Sequence, residues 1–298
     1  MARILVVSIY AYSALGKLDF EFLHTVGQDF VTVVLGWLGI ETDTLGDDTL
    51  FRLTLALPIA ELALAGLLAA RWTRRLGGWL AVLFHLSLVV VFSPLGLGHS
   101  LSVVLWNIQF AVQALLLFAL PRSSKTERST NFQFGSSLAA LLVGAAAVLP
   151  IGERLGLWDH WLSWALYAPH SSRTEVFVAS SAVDRLPEPL RSLTADGQDD
   201  PEVATLWLRI PQKQWCLESS GSPVYPQDRL GVAAAWQVRK FLDTDFEVKL
   251  RILGVASRWD GRRTSKEFQR PEEFSKLDDQ FRLNTRPRSQ PAAIEEPN

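Results

Sequence analysis

A chain of 298 residues has room for two domains, and 48% apolar content with a mean hydropathy of +0.15 puts it at the border between soluble and membrane proteins. A net charge of −2 offers no basic excess to hold nucleic acid, so we expect no nucleic-acid partner. Cys216 is the only cysteine, which excludes an intramolecular disulfide, a dithiol pair and a cysteine-rich zinc site, and we assign no metal site from the sequence.

The average hides a division. Up to about residue 160 the chain consists of long apolar runs broken by short charged loops, and after residue 170 charged residues recur every few positions. The stretch 4–15 is apolar but short, between Arg3 and Lys17. It reads as a first spanning helix, with a signal peptide as the alternative, Arg3 being its basic start and Ser13 and Ala14 its small residues. The segment 20–40 mixes apolar residues with Glu21, His24, Gln28 and Asp29, which predicts an interfacial or re-entrant helix, and the loop 41–48 after it is acidic.

Four segments approach or meet the roughly 20 apolar residues that span a bilayer: 51–70, 77–97, 101–120 and 137–157. Apart from Arg52 and Arg154 near their ends, they contain no Lys or Arg, as the cost of desolvating charge requires. Arg71, Arg74 and Arg75 follow the second span counted from the short first segment, and Arg122, Lys125 and Arg128 follow the fourth. If the spans alternate, these basic loops share one side, whereas the loop around 96–100 has neither Lys nor Arg. That predicts a cytoplasmic N-terminus and an extracytoplasmic region beyond the last span. Just past it, Trp158, Trp161, Trp164 and Tyr167 recur every third residue, which predicts a short helix with an aromatic anchor on one side at headgroup level.

From about Pro169 the chain reads as soluble. Residues 176–179, 206–210 and 246–252 predict strands, the last with Phe246, Val248, Leu250 and Ile252 on one buried face. Residues 226–242 predict a helix opened by proline. Arg258, Asp260, Gly261, Arg262 and Arg263 look like a charged hairpin turn, and from Arg282 the polar, proline-bearing chain reads as disordered. The expected fold is thus mainly α: a polytopic transmembrane bundle of four to five spans over 1–168, a small C-terminal α+β domain over 169–281, and a tail over 282–298.

Ionisable and amide groups inside hydrocarbon are costly, so they are the first candidates for function. Glu61 lies mid-span, three residues after Pro58, and His85 lies about eight residues, roughly 12 Å, into the next span. At comparable depths they suit a shared proton, a polar head group or a metal. Ser102, Trp106, Gln109 and Gln113 share a face of the fourth span, with Asn107 off it; the amides suit either a carbonyl-bearing ligand such as a quinone or interhelical hydrogen bonding. Lys17 reads as a residue reaching for the interface, or as a counter-ion for Glu61, from which its depth separates it unless the first helix tilts. Cys216, with no histidine near it in the sequence, reads as structural.

The residues Gly16-Lys17-Leu18 with Phe22-Leu23, Pro58-x-x-Glu61, Gly66-Leu67-Leu68, and the stretch from His85 through Ser93-Pro94-Leu95-Gly96 to Trp106-Asn107 resemble the four-helix DoxX-like and MauE-type bacterial membrane families, as does Trp158 to Tyr167 after a fifth span. The resemblance covers about half the chain. It implies an inner-membrane protein associated with quinone-linked sulfur oxidation or redox maturation of periplasmic enzymes, with Glu61 and Lys17 at matching positions. MauE-type proteins use cysteines, and this membrane half has none, so thiol chemistry is not carried over. Two functional readings follow: a bundle that binds a quinone or other small lipophilic molecule, and a non-enzymatic anchor or assembly factor that holds a partner protein through its soluble domain.

Overall fold

The computed structural model describes residues 1–120, 133–165, 167–196, 206–221 and 223–281. The basic loop with Arg122, Lys125 and Arg128 and the polar tail from Arg282 lie outside the described residues. The chain divides into two compact units: the first comprises Met1–His170 with Ser257–Gly261, and the second Ser171–Ala256 with the chain from Arg262.

The first unit is helical. Helix α1 (Ala2–Lys17) buries Val6, Tyr10 and Ala14, four residues apart and therefore on one face, and packs along α4. Helices α2 (Phe20–His24) and α3 (Val26–Trp37) follow, α2 capped by Asp19, whose carboxylate accepts from the Glu21 N–H at 3.0 Å. Then come α4 (Asp47–Ala69), α5 (Arg74–Phe92), α6 (Leu101–Ala114) and α7 (Gln133–Val148). A π-helical turn, Leu115–Ala119, extends α6, and a 3-10 stretch, Leu149–Leu155, extends α7.

Among the described residues, four helical segments are long and apolar enough to cross a membrane: Asp47–Ala69, Arg74–Phe92, Leu101–Ala119 and Ser137–Leu155. Their outward faces carry Leu83, Leu116 and Leu141, each at least 59% exposed. Apolar surface that extensive is rare in water and ordinary against lipid. Inside, Val6 and Tyr10 join Leu64, Ala65, Leu68, Ala81, Ala114 and Phe118 in one cluster, and Phe22, Leu23, Phe30, Val91 and Phe92 form a second.

Backbone proximity explains Gly78. A Cβ there would lie 2.6 Å from Ala119 N and 2.8 Å from Phe118 C, so only glycine lets α5 pass the π turn this closely. That turn frees a carbonyl, and the Arg3 guanidinium donates to Leu117 O at 2.7 Å. At the α4–α5 corner, Thr73 Oγ1 donates to Leu67 O and Arg74 to Leu68 O and Ala69 O, covering carbonyls left open where α4 ends.

The segment 20–40, predicted as one interfacial or re-entrant helix, forms two helices, α2 and α3. The break at Thr25 lets Phe22 and Phe30 turn into the same aromatic cluster as Phe92. Within this unit, Gly261 adopts φ +67 with the Phe20 ring 2.5 Å from where a Cβ would sit, and Phe20 N donates to Arg258 O at 2.9 Å.

The second unit is α+β. Its antiparallel sheet has the order β2-β1-β3-β4, with β1 (Arg173–Ala179), β2 (Trp207–Arg209), β3 (Val248–Leu253) and β4 (Ser265–Phe268). Register pairs Val176 with Leu250 and Val178 with Val248. These residues bury against Val232, Ala235 and Val238 of α10 (Asp228–Arg239) and Phe274 and Leu277 of α11 (Pro271–Asp278). Helices α8 (Glu188–Asp196) and α9 (Gln212–Ser220) flank β2 in sequence. Phe246 departs from its predicted place on the buried face: it sits in a 3-10 turn closed by a Thr244–Glu247 capping box before β3 begins, and is 59% exposed.

Candidate functional site

Three polar constellations gather in the first unit, two of them on α1. Tyr10, Ser13 and Lys17 fall on one stripe of that helix, three and seven residues apart. Lys17 Nζ lies 2.5 Å from Glu61 Oε2 and donates to Ser13 Oγ at 3.0 Å; the two charged side chains are 17% and 8% exposed. An ammonium has three N–H bonds, and two are used here. The third N–H and Glu61 Oε1 have no partner among the described residues.

The second constellation is a hydrogen-bond chain whose direction is fixed by chemistry. Asn107 Nδ2 donates to Val103 O at 2.9 Å, which leaves Oδ1, 3.0 Å from His85 Nδ1, as acceptor. His85 therefore carries its proton on Nδ1. Its Nε2 is the acceptor for the Tyr10 hydroxyl at 2.6 Å. The imidazole stacks on Phe110 at 5.2 Å between centroids, and Tyr10, His85 and Asn107 are all buried.

The third constellation lies at the end of the last apolar helical segment and just beyond. Glu153 Oε1 is 2.6 Å from His160 Nδ1 and 3.0 Å from His170 Nε2, whose distance to Oε2 is 3.1 Å. His160 Nε2 donates to Ala168 O at 3.1 Å. His170 is fully buried and its Nδ1 has no hydrogen-bond partner. Beside this group, Arg154 pairs at 2.5 Å with the buried carboxylate of Asp19. Burial and the neighbouring Arg154 charge lower the Arg258 pKa, while Asp19 and Glu153 oppose that shift. One donor set in the first unit suits a metal by its atoms and their convergence, that of Glu153, His160 and His170, whose ligand atoms lie within 4.8 Å of one another.

The expected partnership between Glu61 and His85 is thus divided. Each has its own hydrogen-bond partners, although both Glu61 and Lys17 act on the imidazole electrostatically. Depth was expected to keep Lys17 from Glu61. Packing of α1 along α4 brings them into contact because the short first helix ends beside the interior of α4 rather than at its terminus.

The amide stripe also differs. α6 buries Asn107, Phe110, Ala111 and Ala114, so Ser102, Trp106 and Gln109 are exposed and Gln113 is half-buried. The residue set aside as off the stripe, Asn107, is the one that bonds His85.

The aromatic anchor is not a helix. Trp161–Ser163 form a 3-10 turn and Trp164 turns left-handed at φ 62, which breaks the three-residue repeat. Trp158, Trp161 and Trp164 are half-buried, whereas Leu155, Leu157 and Leu162 are the exposed apolar residues of this stretch. Tyr167 stacks on Phe92 at 5.3 Å, edge-on to Phe30 and His99, and burial raises its phenol pKa to about 12.

His160 and His170 went unmarked in the sequence, since a Glu-x6-His-x9-His spacing matches no compact ligand motif. Two histidines beside a glutamate at the end of an apolar helix were the available signal. Across known proteins, no family model, no curated protein and no solved structure matches this chain.

Proposed function

We propose that this chain is a multi-pass protein of a bacterial inner membrane, DoxX/MauE-like in its helical half, whose bundle binds a small lipophilic molecule with a carbonyl head group, the quinones being the fitting class. In this reading the N-terminus is cytoplasmic and the α+β unit extracytoplasmic. The observation that carries the binding site is the unused hydrogen-bonding capacity of the Lys17–Glu61 pair. Two charges in an apolar bundle are costly to desolvate, and their mutual attraction seldom repays it in full. An ammonium N–H left open at 17% exposure offers a carbonyl oxygen a charge-assisted hydrogen bond. The apolar surroundings would take the ring and tail.

The test is quinone binding to the purified protein in lipid nanodiscs, measured by quenching of its tryptophan fluorescence. Lys17→Met is expected to weaken binding by about tenfold or more, one charge-assisted hydrogen bond being worth about 1.5–3 kcal/mol. Equal affinity in wild type and Lys17→Met, with the variant still folded, would refute the site.

A second reading has its own support. Each residue of the Tyr10–His85–Asn107 chain donates to an acceptor within the bundle, as an interhelical staple does. On that reading the protein is a non-enzymatic anchor that holds a partner protein through the α+β unit. Binding of no quinone, together with co-purification of a partner that depends on residues 171–281, would favour it.

A further inference from the structure

We propose that Glu153, His160 and His170 form a binding site for one divalent transition metal of the zinc type, with a fourth coordination position open to water or an exogenous ligand. The argument starts from the proton on His160. Ala168 O accepts a hydrogen bond from Nε2, and a carbonyl can only accept, so Nε2 carries the hydrogen and Nδ1 presents a lone pair. That lone pair faces Glu153 Oε1 at 2.6 Å. An ionised carboxylate is acceptor-only, so a neutral histidine and a carboxylate oppose lone pair to lone pair at that distance. A shared cation between them resolves the conflict; so does an extra proton.

Two further observations favour the metal over the proton. A third donor, His170 Nε2, converges on the same carboxylate at 3.0 and 3.1 Å, which a simple two-group proton bridge does not need. His160 is tethered through its far nitrogen to a backbone carbonyl, the arrangement by which metal-bound histidines are held in tautomer and orientation.

Metal–nitrogen and metal–oxygen bonds of about 2.0–2.2 Å at tetrahedral angles separate ligand atoms by roughly 3.3 Å. Two edges of the triangle are 2.6 and 3.0 Å, and the third is no longer than 4.8 Å. The two shorter edges therefore open by about 0.7 and 0.3 Å to admit the ion, a change that side-chain rotation supplies. Two imidazoles and one carboxylate, with no thiolate, select zinc-like borderline ions over calcium or magnesium. Charge is close to balanced nearby: Arg154 is neutralised by Asp19, and Arg258 is the cation that works against the site.

The experiment uses the full chain in detergent, freed of any histidine tag, stripped with chelator and dialysed against Zn²⁺ or Co²⁺. One metal per chain by elemental analysis, an intense tetrahedral-type Co²⁺ visible spectrum, and X-ray absorption showing two imidazoles with oxygen ligands are expected. His160→Ala and His170→Ala should each weaken Zn²⁺ binding about 100-fold or more, and His24→Ala should leave it unchanged. A wild-type chain that retains no metal, or coordination without two imidazoles, overturns the site without needing any variant to fold. Undiminished binding in the folded His160→Ala/His170→Ala double variant overturns it as well.

Discussion

Removing Lys17 alone should damage the protein more than removing both members of its pair. At an effective dielectric of about 20, unit charges 2.5 Å apart attract with roughly 7 kcal/mol. Desolvation of two side chains only 17% and 8% exposed consumes most of that, so the intact pair contributes little net stability. Lys17→Met leaves the Glu61 carboxylate in an apolar bundle with no counter-ion, a loss of about 3–5 kcal/mol. Glu61→Gln leaves the ammonium in the same position with a similar loss. The double variant Lys17→Met/Glu61→Gln removes both charges and should fall within about 1 kcal/mol of wild type. Unfolding in mixed micelles, followed by tryptophan fluorescence, gives the four stabilities, and the expected coupling is about 5 kcal/mol or more. If the two single losses simply add in the double variant, Lys17 and Glu61 do not share one buried site and the reasoning fails.

Gly78→Val should abolish folding of the bundle or cost more than about 3 kcal/mol, because backbone atoms of the π turn occupy the space a side chain needs, whereas Gly66→Ala, with nothing within 4 Å, should be neutral or stabilise by up to about 1 kcal/mol; size-exclusion profiles and thermal unfolding compare them. An alkaline phosphatase fused after residue 170 should be active and a cytoplasmic reporter at the same point inactive; the reverse result inverts the proposed topology. Burial raises the Tyr167 phenol to about 12 against about 10 in an unfolded chain, so the native state holds this proton more tightly. The corresponding stability is intact below about pH 10 and is lost as pH rises through 12. A phenolate absorbance titration of wild type minus Tyr167→Phe should show the late midpoint, and a midpoint near 10 would mean the ring is not packed against Phe92.

The apolar helices were legible because their signal is local: length and hydropathy locate Arg74–Phe92 without reference to any other residue. The strand at Leu250 was legible for the same reason, through alternation, and the one at Val176 through its short apolar run. What the sequence hides is partnership across distance. Tyr10 and His85 are 75 positions apart and Lys17 and Glu61 are 44 apart, and nothing in either local pattern says that α1 packs along α4. Depth in the sequence sets Lys17 apart from Glu61 unless the first helix tilts, and the 16-residue α1 in fact ends beside the interior of the longer α4. Helical spacing placed Gln109 and Gln113 on one face correctly but could not say which face was inside. Small neighbours decided that, since Ala111 and Ala114 are where α6 meets the bundle. β4 was missed because Ser265, Lys266 and Glu267 carry no apolar alternation; its pairing with β3 comes from the hairpin.

Polar groups in a membrane bundle can be sorted by whether their hydrogen-bonding capacity is exhausted. In the Tyr10–His85–Asn107 chain all three side chains donate to a partner within the bundle, both ring nitrogens are engaged, and the ring is fixed between Phe110 and Tyr10. Such a chain holds helices together, and a ligand entering it would have to break bonds as good as those it forms. Lys17 with Glu61 and Glu153 with His160 and His170 differ in kind. The first retains an open donor and acceptor, and the second sets two acceptors against each other at 2.6 Å. Unmet capacity is costly in an apolar environment, and something outside the described side chains is needed to offset it. That is why the binding hypotheses attach to these two sites and not to His85, although His85 was the more conspicuous residue in the sequence.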